Sequence, residues 1–129
     1  MSHLTKQLLF SAILLGGCAS SPVTQAPFSR EEWDETKRLS LAQVETAKTA
    51  GYLRDMAKLW TDRRLPALGN CTAAGGKVVL YLQIESNGMV SNVLGDPWNA
   101  RSRCYAKAYK GITVLQPPVD PFFFKLQLY

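Results

Sequence analysis

Beyond His3 the chain contains no histidine. That absence removes the Ser-His-Asp and Cys-His arrangements, in which an imidazole takes the proton from the nucleophile. It also removes zinc sites built on imidazole nitrogen. No glycine-rich phosphate cradle is present: Ala73-Ala74-Gly75-Gly76 is too short and leads into a strand pattern, not a helix. No apolar run reaches the ~20 residues that a membrane-spanning helix needs. Internal repeats are absent. Carboxylates pair as Glu31 with Glu35, in the charged opening of a helix, where acids favour the positive end of the helix dipole. Catalytic carboxylates belong at strand ends or in a cleft, so this pair reads as solvated surface. An enzyme is not expected, and no cofactor or metal site is read from the residues.

What is present is an ordinary globular composition. The chain has 129 residues, 47% of them hydrophobic and 19% charged, enough for one domain with a thin stability margin. The formal net charge is +5. Its basic residues are interleaved with acids, as in Arg30, Glu31, Glu32, Asp34, Glu35, Lys37 and Arg38. A nucleic-acid surface needs basic residues clustered with stacking aromatics, so nucleic-acid binding is not expected.

The first residues have the order of a secretory signal: Lys6, an apolar run over residues 8–15 broken only by Ser11, then small residues. Leu15-Gly16-Gly17-Cys18 closely resembles the bacterial lipobox. That resemblance implies cleavage between Gly17 and Cys18, a diacylglycerol on the Cys18 thiol, and a lipid anchor in a membrane. Cleavage would take Lys6 away and leave a charge of about +4. Ala19 follows the cysteine where an aspartate would signal retention, and by resemblance to enterobacterial sorting this points to the periplasmic side of the outer membrane. Residues 18–28 are rich in small polar residues and proline, as a flexible tether should be.

With Cys18 acylated, Cys71 and Cys104 remain. An even pair in an oxidising compartment favours a disulfide over two separate buried thiols.

Ser29 and Glu32 have the spacing of a capping box, which opens a helix over residues 29–50. The apolar positions of that helix are sparse, which suits either an exposed spacer or a helix lying along a sheet. Gly51 interrupts it. Tyr52, Met56, Leu59 and Trp60 then recur at helical spacing and should bury one face. Residues 77–85 and 89–94 read as strands joined by Ser86-Asn87-Gly88, where Asn-Gly supplies the positive φ angles of a tight turn. Residues 100–110 read as a helix ended by Gly111. After the Pro117-Pro118 connector comes a last strand, with Phe122, Phe124, Leu126 and Leu128 alternating against Phe123, Lys125 and Gln127.

The order helix, strand, turn, strand, helix, Pro-Pro, strand resembles the C-terminal domain of TolA and, more distantly, of TonB. The likeness rests on the helix around Tyr52 to Trp60, on Gly76-Lys77-Val78 with Leu80, Leu82 and Ile84, and on the Asn87-Gly88-Met89-Val90 turn. Gly95-Asp96-Pro97, Cys104 with Ala106 and Ala108, and Pro117-Pro118 with the aromatic last strand complete it. It covers residues 51–129 and implies an α+β domain: a small antiparallel three-stranded sheet packed by helices (α-β-β-α-β), preceded here by the helical spacer of residues 29–50. Two features depart from TolA. The anchor would be a lipid on a short spacer, not a membrane span on a long arm, which excludes energy transduction of the usual kind. Cys71 also precedes the first strand and does not open it.

The resemblance implies protein binding by addition of a partner strand to a sheet edge. The last strand is the candidate edge, with Phe123, Lys125 and Gln127 as the partner-binding residues. Lys125 could equally serve as a guard against edge-to-edge aggregation. The expected partner is a periplasmic or outer-membrane protein, a Tol-Pal-like or secretion component, in envelope integrity or a transport assembly. The alternative is an inhibitor or immunity lipoprotein that blocks a periplasmic toxin, bacteriocin or phage protein.

Overall fold

The computed structural model describes residues 25–71 and 76–129. The signal segment, the Gly17-Cys18 bond and the acylation site at Cys18 lie outside the described residues.

Helix α1 (Arg30–Thr49) opens on the expected capping box. Ser29 Oγ accepts from the Glu32 N–H at 3.0 Å, and Glu32 Oε1 accepts from the Ser29 N–H at 3.1 Å. Two of the donors that a helix start leaves unpaired are thereby satisfied. Gly51, at φ 75°, breaks the run, and helix α2 (Tyr52–Asp62) follows with Tyr52, Met56 and Trp60 buried. A 3-10 segment (Leu65–Asn70) leads to Cys71. Then come β1 (Val78–Ile84), β2 (Val90–Asp96), helix α3 (Ala100–Tyr109) and β3 (Phe122–Leu128). The three strands form one antiparallel sheet in the order β2-β1-β3, packed by helices, so the class is α+β. Among the described residues no helix is long and apolar enough to cross a membrane.

The β1–β2 turn differs from the sequence reading in one respect. Only Gly88 has a positive φ, 88°; Asn87 does not. The Gly88 N–H donates to Glu85 O at 2.8 Å and the Glu85 N–H to Met89 O at 2.9 Å. Asn87 Oδ1 accepts from the Met89 N–H at 2.9 Å. This is a three-residue loop closed by a left-handed glycine, not the two-residue turn with two left-handed positions.

Each face of the sheet buries a different layer. Val78, Leu80, Leu82 and Ile84 of β1 and Phe122 and Phe124 of β3 point to the face covered by α2 and α3, where Met56, Trp60 and Tyr109 join them in the main core. The hydroxyls of this core find carbonyl partners: Tyr109 donates to Leu65 O at 2.8 Å and Tyr52 to Leu115 O at 2.9 Å. Cys71 and Cys104 form a disulfide, Cα to Cα 5.6 Å, tying the 3-10 segment to α3.

The other face lies under α1. Trp33 packs edge-on against Tyr81, ring centroids 5.1 Å apart, with Leu94 in the same buried cluster. Of the two arrangements open to the helix of residues 29–50, it takes the one along the sheet. It begins over β1 and β2, ends beside the start of β3, and from there Ala47 joins the main core.

Candidate functional site

Strands β2 and β3 are the two edges, and a different element covers the start of each. The start of β2 is covered by the chain that follows α3. The Val90 N–H donates to Ile112 O at 2.9 Å, and the Gly111 N–H donates to Val90 O at 2.8 Å. The Val114 N–H donates to Gly88 O at 2.7 Å, an approach so close that a Cβ on Gly88 would stand 2.3 Å from Val114 O.

On β3 the outward row is satisfied at its start. The Phe123 N–H donates to Gln43 Oε1 at 3.0 Å, and Phe123 O accepts from Ser40 Oγ at 2.8 Å. Gln43 Nε2 donates to Pro121 O at 2.8 Å. Beyond the end of β3, Arg101 donates to Tyr129 O at 2.9 Å and also reaches Gly76 O, ahead of β1. Both main-chain groups of Phe123 therefore point away from β1, so its pairing with Gln83 exchanges no hydrogen bond. Antiparallel pairs alternate between bonded and non-bonded. Tyr81 opposite Lys125 and Val79 opposite Gln127 are consequently of the same non-bonded kind. The N–H and C=O of Lys125 and Gln127 thus point outward. Among the described residues nothing outside the sheet bonds to them.

This open half-edge runs into a groove of about 240 Å³ where α1 meets β3. The groove is lined by Ser40, Leu41, Val44 and Tyr81, with Lys37 and Lys125 at its rim. Burial raises the pKa of the Tyr81 hydroxyl. Leu41 is 76% exposed and Tyr129 79% exposed. These two apolar side chains bracket the open half-edge, one at each end.

The structure therefore separates the three residues read from the sequence as partner-binding. Lys125 and Gln127 are exposed on the open edge. Phe123 is a correction: its ring is buried, 8% exposed, and its main chain is occupied by α1. Period-two alternation placed Phe123 opposite the core face, which is right, but the second face is covered there. Sequence reasoning missed Gln43, Ser40, Leu41 and Lys37. The one available signal was the helical run itself, whose inward positions carry small polar residues. Glu31 and Glu35 are exposed, and Glu35 pairs with Arg38 at 2.6 Å, which lowers its pKa. Their surroundings are those of a solvated helix face.

No protein-family model, curated protein or solved structure matches this chain.

Proposed function

We propose that this protein is a non-enzymatic protein-binding module. It is held by a lipid on Cys18 at the periplasmic side of the outer membrane and takes up an extended segment of a partner protein as a fourth strand beside β3. The observation that carries this reading is the pair of outward residues, Lys125 and Gln127, left without partners beyond the satisfied start of the same edge. A free row of main-chain donors and acceptors is what strand addition uses, with affinity from the backbone and selectivity from flanking side chains. Monomeric proteins normally cover or twist away such edges, and here only half the edge is covered. The disulfide supports an oxidising compartment, and the lipobox-like residues support the anchor. The TolA-like order of elements supports a role in envelope integrity or in a transport or secretion assembly.

The test is in-cell cross-linking from a photoreactive residue at position 127, compared with one at position 45 on the outer face of α1. The expected result is a cross-link at 127 alone, to an envelope protein of a Tol-Pal-like or secretion system, lost in Cys18→Ser. Equal cross-linking from both positions, or none from 127, overturns strand addition. Recovery of a single hydrolase or foreign toxin would assign the edge to inhibition instead.

A further inference from the structure

The open half-edge also carries information about the chemistry of its occupant. We infer that it selects a short extended segment in which acidic and apolar residues alternate. The inference rests on the strand-addition reading above and adds the partner's class to it.

Length comes first. The outward row is closed by Gln43 and Ser40 at Phe123, and β3 itself ends at Leu128. An added strand can therefore pair along residues 124–128 only, ~17 Å of extended chain. A longer segment would run into Leu41 and Val44 of α1, which line the groove at the upper end.

Pattern comes next. Side chains directly across two paired strands share a face. A partner residue opposite Lys125 or Gln127 therefore lies on the α1 side, the side on which Lys125 and Lys37 line the groove. Lys77 is at the lower end, 5.7 Å above the Tyr129 ring. The groove lining contains Lys37 of α1 and Lys125 of β3 and no carboxylate; the five acids of α1, Glu31, Glu32, Asp34, Glu35 and Glu45, do not line it. Partner residues of the opposite parity lie beside Leu126 and Leu128, which are half-buried against the main core and present apolar surface. One face of the added strand thus meets cations and the other meets leucine. Like charges directly across a strand pair are destabilising, so a basic segment is disfavoured on the same face.

The experiment uses the isotope-labelled full-length chain carrying Cys18→Ser, titrated with two synthetic peptides. One alternates valine with glutamate and the other alternates valine with lysine. Amide exchange and chemical shifts of residues 123–129 are followed. The glutamate peptide should protect the Lys125 and Gln127 amides and bind about tenfold tighter than the lysine peptide, with the gap closing as salt rises. The doubly reversed variant Lys37→Glu, Lys125→Glu should invert the preference; both side chains are exposed, so the fold is retained. Equal protection by both peptides, or a tighter lysine peptide, overturns the acidic class and leaves strand addition standing. Protection by neither peptide overturns both.

Discussion

Gln43 meets the main chain of Phe123 as a neighbouring strand would. Its amide oxygen accepts from the Phe123 N–H at 3.0 Å while its amide nitrogen donates to Pro121 O, 2.8 Å away. A side-chain amide carries the same donor and acceptor as a peptide group, so one residue of α1 replaces one step of a missing strand. Ser40 adds a third bond, to Phe123 O. The half of β3 that is closed is closed by these two side chains. The half that is open begins where α1 makes no hydrogen bond to the strand.

Replacing Gln43 with alanine should therefore act locally. Two hydrogen bonds go, and the main-chain groups they served become accessible to water, which limits the cost to ~1–2 kcal/mol. Urea unfolding measures the cost. Native-state exchange should show the Phe123 amide opening faster while the amides of β1 keep their protection. An unchanged Phe123 amide would mean that Gln43 does not hold the edge.

The Cys71–Cys104 bridge joins residues 33 apart in sequence. In the chain-entropy account, closing a loop of this length stabilises by ~3–4 kcal/mol. The double variant Cys71→Ala, Cys104→Ala should lower the stability measured in urea by that order, and reduction of the wild type should match it. A loss well below ~1 kcal/mol would mean that the bridge adds little to contacts already made by the buried Cys71.

Gly88 is constrained twice. Its φ is 88°, and a Cβ would stand 2.3 Å from the carbonyl oxygen of Val114. The positive φ alone costs ~1 kcal/mol for alanine. The clash is with backbone, so relief requires moving residue 114 or the turn. Gly88→Ala should lose more than ~2 kcal/mol and drop the thermal midpoint accordingly. Asn87→Ala at the neighbouring position, with a negative φ, should cost only its one hydrogen bond to Met89.

Burial raises the hydroxyl pKa of Tyr52 and of Tyr109; at Tyr109 the neighbouring Tyr105 adds to the rise and a contact with Trp60 opposes it. In the unfolded chain tyrosine ionises near pH ~10. Above that point the unfolded state releases protons that the folded state keeps, so stability falls as pH rises. The contribution is complete below about pH 10 and declines above it. Urea midpoints between about pH 8 and 12 should be level and then drop, and Tyr109→Phe should flatten the drop. A drop that begins near neutrality would point to other groups.

The three strands, their turn and α3 were legible in the chain because each carries a local signal. β1 and β3 alternate with period two, Gly88 marks the turn, and Gly111 follows the end of α3. Helix α1 was legible as a helix, through Ser29 and Glu32, but not in its placement. Its inward residues are Trp33, Thr36, Ser40 and Ala47, with Gln43 beside them. That is no hydrophobic stripe, because part of what the helix covers is main chain at Pro121 and Phe123, and main chain is matched by hydroxyl and amide groups, not by methyls. Phe123 was misread for the same reason. Alternation placed its ring on the second face, and nothing local to the strand tells whether another element covers that face.

Local pattern and counting were thus enough to set the element order, the cap of α1, the apolar faces of the strands and the cysteine pair, and the resemblance in element order implied the α+β class. Those properties arise from residues a few positions apart, or from counting. Which part of β3 is free, and that Leu41 and Lys37 border it, depends on a helix some 80 residues earlier in the chain lying across the sheet at an angle. Only packing decides that, because a sheet edge is open or closed by whatever element comes to rest beside it.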